Sequence, residues 1–148
     1  MENNINLMSL FDKFIKEYED SNGEMRFAFI RKRNTFIYTD VTSPLLKALN
    51  TTRDEFVGKS VDNRPFIGDD LAVKLEEIYP AAWGGKRVVF YCVPCQSTNA
   101  FFVTTLKPQI DNNKVVEVMG TCVPLDKNEY KDTLHLLKKL KPFEILYE

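Results

Sequence analysis

Apolar residues recur at helical spacing near the start of the chain. Leu7, Phe11, Phe14 and Tyr18 form one stripe, widened by Met8 and Ile15, and predict an amphipathic helix from about Ile5 to Glu19. Ser21-Asn22-Gly23 stops it, glycine being suited to the left-handed position beyond a helix end. The pattern then changes to short runs. Met25 to Arg31 and Thr35 to Thr39 read as strands joined through Lys32-Arg33-Asn34. Ser43-Pro44 opens a short helix carrying Leu45, Leu46 and Leu49, with Ser43 as N-cap and Pro44 at the first helical position. It ends at Asn50, a residue that tolerates the left-handed conformation. Thr52-Arg53-Asp54-Glu55 reads as a capping box for a single further turn anchored by Phe56 and Val57 and closed by Gly58.

A longer helix is expected from about Asp69 to Ala82, with Leu71, Leu75, Ile78 and Tyr79 or Ala82 on its buried side and Pro80 kinking or shortening its end. Three strands follow, Arg87 to Cys95, Ala100 to Lys107 and Lys114 to Val123, rich in Val, Phe, Tyr and Thr. Gln96-Ser97-Thr98-Asn99 and Asp111-Asn112-Asn113 are turn sequences, so two antiparallel hairpins are expected. Asp126 and Glu129 form a second capping-box pattern ahead of a helix to about Leu140, with Tyr130, Leu134, Leu137 and Lys141 spaced as a heptad-like seam. Strands split by helices and then joined as a meander give an α+β class. The division expected is an N-terminal amphipathic helix (1–22), a central domain (23–125) and a C-terminal helix with a linker (126–148).

Composition narrows the functions. The chain has 148 residues, enough for one core without disulfide or metal support. Twenty basic residues against 21 acidic ones leave a formal charge of −1, which argues against nucleic acid contact, where a basic surplus supplies much of the affinity. No apolar run reaches the roughly 20 residues that span a bilayer, and Met1-Glu2-Asn3-Asn4 has no signal-peptide character. Three cysteines make no disulfide framework, and a cytoplasmic location is expected.

Several stretches together resemble the PAS family of sensor domains. They are Ser43-Pro44-Leu45-Leu46-Lys47-Ala48-Leu49-Asn50, then Thr52-Arg53-Asp54-Glu55-Phe56-Val57-Gly58-Lys59-Ser60, and then Ala81-Ala82-Trp83-Gly84-Gly85-Lys86. Lys107-Pro108, Asp111-Asn112-Asn113 and Val115-Val116-Glu117-Val118-Met119-Gly120 resemble the closing hairpin of that family. The likeness covers Met25 to Asp126, with Asn50 where the family usually has glycine and Thr39-Asp40 where it usually has Asn-Pro. The resemblance implies a five-stranded antiparallel sheet of order 2-1-5-4-3 with helices on one face. It also implies a packed core or a small-molecule cavity between sheet and helices, no catalysis, and signalling to an effector, for example in transcription regulation.

Phe56, Phe66, Leu75, Ile78, Tyr79 and Trp83 from the helical layer are expected to meet Val88, Phe90 and Val118 from the strands. Placing Arg87 and Glu117 in solvent turns Val88, Phe90, Cys92, Val116, Val118 and Cys122 inward. These residues either line a pocket for a small apolar or aromatic ligand or simply pack together. The terminal stripes, Phe11, Phe14 and Tyr18 with Tyr130, Leu134 and Leu137, are expected to form a homodimer face or to fold onto their own sheet. Effector coupling would run through a linked or separate domain, with Phe143 to Glu148 as a possible linker.

Cofactor chemistry finds little footing. The helix from Asp69 to Ala82 has no histidine to ligate haem, so haem is not expected. Photosensing relatives bind flavin with a reactive cysteine in Asn-Cys-Arg-Phe, which this chain lacks, so flavin is unsupported. Cys92 and Cys95 could serve thiol redox chemistry, but within a strand they lack the helix N-terminus that lowers a thiol pKa. Zinc would need two more ligands, with Cys122 and His135 alone remaining. A Cys92–Cys122 disulfide is excluded by one intervening strand, about 9–10 Å of separation. Two rivals to the sensor reading stand: a ligand-free interaction module and a small redox protein.

Overall fold

The computed structural model describes residues 7–60, 77–92, 99–139 and 143–146. Eleven elements follow one another. They are α1 (Leu7–Asn22), β1 (Arg26–Lys32), β2 (Thr35–Val41), α2 (Ser43–Leu49), α3 (Arg53–Phe56), α4 (described over 77–83), β3 (Arg87–Cys92), β4 (Ala100–Asp111), β5 (Lys114–Asp126), α5 (Lys131–Leu137) and β6 (Phe143–Leu146).

Local chemistry sets most of the boundaries. Gly23 stands at φ 90° just past α1 and donates its N–H to the Glu19 carbonyl, the glycine-terminated helix end expected. Asn50 caps α2 at φ 54°, ψ 48°. At the start of α2 the N-cap is Thr42, one residue earlier than expected. The Thr42 hydroxyl is held away from the helix, donating to the Glu24 carbonyl and accepting from the Arg26 N–H. Thr52 does cap α3, accepting from the Glu55 N–H at 3.3 Å and donating to the Glu55 carboxylate at 3.2 Å. Asp126 accepts from the N–H groups of Asn128 and Glu129, so this pattern closes a turn, and α5 begins only at Lys131.

The strands form one antiparallel sheet of order β2-β1-β5-β4-β3-β6. The expected order 2-1-5-4-3 is there, and the stretch read as a linker adds a sixth strand. Arg87 to Phe90 pair with Leu146 to Phe143. On the opposite edge, the Tyr38 N–H donates to the Lys59 carbonyl and the Gly58 N–H to the Tyr38 carbonyl. The added strand covers the edge of β3, and the 58–59 backbone caps β2 at Tyr38. The β4–β5 hairpin turns through Asn112 and Asn113, both left-handed (φ 51° and 62°) as its tight turn requires.

Side chains in the sheet alternate in direction, yet Val88, Val89 and Phe90 are all buried. Both faces of the sheet are therefore covered at β3. The rings of Phe27 and Phe29 on β1 meet Tyr38, Phe56 and Tyr79, which identifies the face under α3 and α4 as the inner one. Helix α1 packs against β3, β4 and β5 and takes the outer face, burying Leu7, Phe11, Phe14 and Ile15. Fully burying one such phenylalanine contributes about 1.5–3 kcal/mol.

Val116, expected inward, is 50% exposed. Strand β1 pairs only with 118–121 of β5, and the register shifts at Gln109/Ile110, so the hairpin tip runs beyond the covered sheet. Glu117, expected in solvent, accepts from the Thr39 hydroxyl at 3.2 Å.

Gly120 sits directly opposite Phe27, and a methyl group at Gly120 would overlap the Phe27 ring. We expect Gly120→Ala to destabilise the fold by about 1–3 kcal/mol through overpacking, read as a lower urea midpoint at unchanged slope. Phe27→Leu in the same chain should recover part of the loss. A neutral Gly120→Ala would contradict this packing.

Candidate functional site

The inner face has two halves of different character. Over β1 and β2 it is filled by aromatic rings. Tyr79 of α4 stacks on Phe29 with ring centroids 4.1 Å apart and planes at 12°. Its hydroxyl lies 2.8 Å from that of Tyr38, in a buried hydrogen bond. Phe56 of α3 packs on Tyr38 at 4.5 Å, and Phe36 meets the edges of Tyr79 and Trp83. Buried phenols need partners, and pairing two of them satisfies both within an apolar setting.

Over β3, β4 and β5 the wall is apolar, mixing aliphatic residues with Phe90 and Phe102. Register and alternation put Val88, Phe90, Leu106, Val118 and Cys122 on this face together with Thr104. Thr104 is directly opposite Cys122 on the neighbouring strand, and its hydroxyl is hydrogen-bonded to the thiol. This is a small polar pair in an apolar wall. Burial pushes the Cys122 thiol up to about 12, the Thr104 hydrogen bond opposing the shift.

Of the residues expected to meet here, Phe56, Ile78, Tyr79, Val88, Phe90 and Val118 are buried in one core cluster, with Trp83 half-buried against it. Phe66 and Leu75 lie outside the described residues. Sequence reading missed Phe27, Phe29, Phe36 and Tyr38, which supply the sheet side of the aromatic half. The signal was present in the alternation of β1 and β2, where Phe27 and Phe29 recur two apart, as do Phe36 and Tyr38.

The terminal residues are drawn into the chain's own core. Phe11, Phe14, Leu134 and Leu137 are buried, and Tyr18 and Tyr130 are half-buried. Phe14 packs edge-on to Tyr130 at 5.1 Å. An amphipathic stripe states only that it needs an apolar partner; for α1 that partner is the outer face of the sheet, and Leu134 and Leu137 of α5 join the same core cluster. Phe11, Phe14, Leu134 and Leu137 are thereby committed within one chain, while Tyr18 and Tyr130 keep part of their surface exposed.

Cys92 ends β3 and Cys95 lies outside the described residues. Strand β4 runs between Cys92 and Cys122 as expected, and Cys122 is a free thiol. His135 is exposed on α5. Among the described residues, no group of three or more His, Cys, Asp and Glu could hold a metal ion, and no helix is long and apolar enough to cross a membrane.

Tyr79→Phe is expected to cost about 1 kcal/mol, the usual worth of one hydrogen bond, measured by chemical denaturation. For Cys122 the sign follows from a folded-state pKa above the unfolded one. Its contribution to stability is complete below about pH 8.5, where the unfolded thiol begins to ionise, and is lost as pH rises towards about 12. Iodoacetamide at pH 8 should label Cys122 only after unfolding, as read by peptide mapping; labelling in the native state would contradict its burial.

No protein-family model matches the chain, and no curated protein sequence does. Solved structures do match. A light-oxygen-voltage domain studied with a flavin analogue is 13% identical with a TM-score of 0.62, over 86% of this chain and 95% of that one. The light-oxygen-voltage domain of the blue-light photoreceptor Aureochrome1 is 12% identical with a TM-score of 0.61, over 94% and 97%. The light-oxygen-voltage protein of Rhodobacter sphaeroides is 14% identical with a TM-score of 0.57, over 91% and 77%. At these identities the likeness is one of backbone. Taken with the strand order and the layered helices, it shows that the chain has a PAS-like fold, shared in backbone with these light-oxygen-voltage domains.

Proposed function

We propose that the chain is a non-catalytic, cytoplasmic signal-input domain that holds a small apolar or aromatic molecule against the inner face of its sheet. The observation that carries this reading is the apolar wall over β3–β5 with the Thr104–Cys122 pair set into it. Such a wall with one or two polar groups suits a ligand that is mostly apolar and bears a single hydrogen-bonding group.

The likeness to a domain studied with a flavin analogue raises flavin as an occupant. The described residues do not fit a three-ring plate over β1 and β2, because Tyr79 already stacks there on Phe29. We therefore assign the ligand space to the β3–β5 half and derive no chemistry through flavin.

A route outward is supported by register. Val88 and Phe90, two of the wall residues, pair through their backbones with Ile145 and Phe143 of β6. A ligand that binds more tightly to one arrangement of β3 would bias β6 with it, and only to the extent of that difference in affinity. An effector, linked or separate, would read that bias. Self-association into a homodimer would use surfaces other than the buried Phe11, Phe14, Leu134 and Leu137.

A second reading has its own support. The aromatic half of the inner face is already filled, and if the other half is filled likewise the domain is a ligand-free interaction module. Native mass spectrometry against the denatured mass separates the two. The sensor reading expects a retained small molecule, lost in Val118→Trp while the far-ultraviolet circular dichroism is kept. Equal native and denatured masses for the unaltered chain, purified without dialysis, would favour the module.

A further inference from the structure

On the outer side of the sheet, the second half of α1 and the stretch from Pro124 to Tyr130 border an open groove of about 420 Å³. That size falls within the roughly 300–1,000 Å³ of ligand sites. Phe14, Glu17, Tyr18 and Ser21 line it at positions i, i+3, i+4 and i+7, so one helix face presents all four. Tyr130 stands across from them, edge-on to Phe14. Pro124 and Leu125 add to the apolar lining, and the carboxylates of Glu17, Asp126 and Glu129 surround it.

The charge of this groove is one-sided. No Lys or Arg is among the described residues that line it. The charges of Glu129 and Glu17 both reach the Tyr130 phenol and, after burial, help to raise its pKa. The helix itself adds to the imbalance. The carbonyl end of a helix favours cations, yet the last turn of α1 carries no basic residue. Glu19 and Asp20 stand near that end instead. Glu19 is engaged by Arg26 at 3.6 Å and by the Met25 N–H at 2.8 Å, which leaves the groove side uncompensated.

We propose that this groove docks an arginine-bearing segment of a partner protein, its guanidinium lying among Phe14, Tyr18 and Tyr130 and pairing with Glu17 and Glu129. Arginine fits better than lysine because its planar, weakly hydrated fork stacks on aromatic rings and bridges carboxylates. A peptide segment fits better than a free cation because the groove is open and continues over Pro124 and Leu125, which take neighbouring side chains. The site joins α1 to the start of α5, and the proposal is independent of what fills the pocket.

The test is an amide chemical-shift titration of the whole chain with a tetra-arginine peptide. Shifts should centre on Phe14 to Asn22 and on Leu125 to Tyr130. Glu17→Gln with Glu129→Gln, both exposed positions, should weaken binding by about tenfold. Glu24→Gln with Asp54→Asn, acids away from the groove, should change it by less than about twofold. Shifts scattered over the acidic surface, or equal weakening by the two double variants, would overturn the proposal. Binding of free arginine amide as tight as that of the peptide would overturn the assignment to a protein segment.

Discussion

The contact on which this architecture turns is the clamp made by Tyr79. Its ring lies against Phe29 of β1 and its hydroxyl against Tyr38 of β2, so one side chain of α4 is tied to two strands at once. Stacking sets the distance between helix and sheet, and the hydrogen bond sets the lateral position, since a displaced phenol would leave two buried hydroxyl groups without each other. Phe56 packs on Tyr38 from the other side, and Arg53 fixes α3 by donating to the Val41 carbonyl and the Asp40 carboxylate. The Arg53 guanidinium, with the Val41 N–H, holds the Asp40 carboxyl below its ordinary value. The helical layer over β1 and β2 is thereby rigidly attached.

That attachment makes the inner face asymmetric. The aromatic half spends its space on its own stacked and edge-on rings, whereas the wall over β3–β5 combines aliphatic groups with Phe90, Phe102 and one polar pair. Backbone likeness reports where strands and helices run. Which molecules fit between them depends on side chains, and at identities of 12–14% those are almost all replaced.

The outer face follows a different logic. An antiparallel sheet can leave one face to water, but the outward residues here include Val89, Phe101, Val103 and Val123, all fully buried. Helix α1 is what covers them, so it belongs to the core of the domain. The cost is local: its acid-bearing last turn lies where the helix dipole favours bases, and this is the turn that borders the groove. Stability is served by the apolar side of α1, while at its end Arg26 answers Glu19 and the last turn itself carries no basic residue.

Much of this was legible in the chain itself. Helix α1, both hairpins, the left-handed positions at Gly23 and Asn50 and the Thr52 cap follow from local chemistry, because each depends on a few adjacent residues. Strand order was legible through the resemblance carried by residues 43–60 and 81–86. The fate of Thr42, which bonds Glu24 and Arg26 rather than capping from Ser43, required strand β1 to be in place. So did the aromatic half, where Phe27, Phe29, Phe36 and Tyr38 become one cluster only when β1 and β2 pair. The stripes of α1 and α5 declared that they needed apolar partners; only the packed sheet decided that the partner was intramolecular. Phe143 to Glu148 read as the start of a linker, and Phe143 to Leu146 became a strand because β3 offered an unpaired edge. Sequence determines what each segment can satisfy locally, and tertiary structure decides which distant surface satisfies the rest, since burial and backbone pairing are non-directional until a specific neighbour arrives.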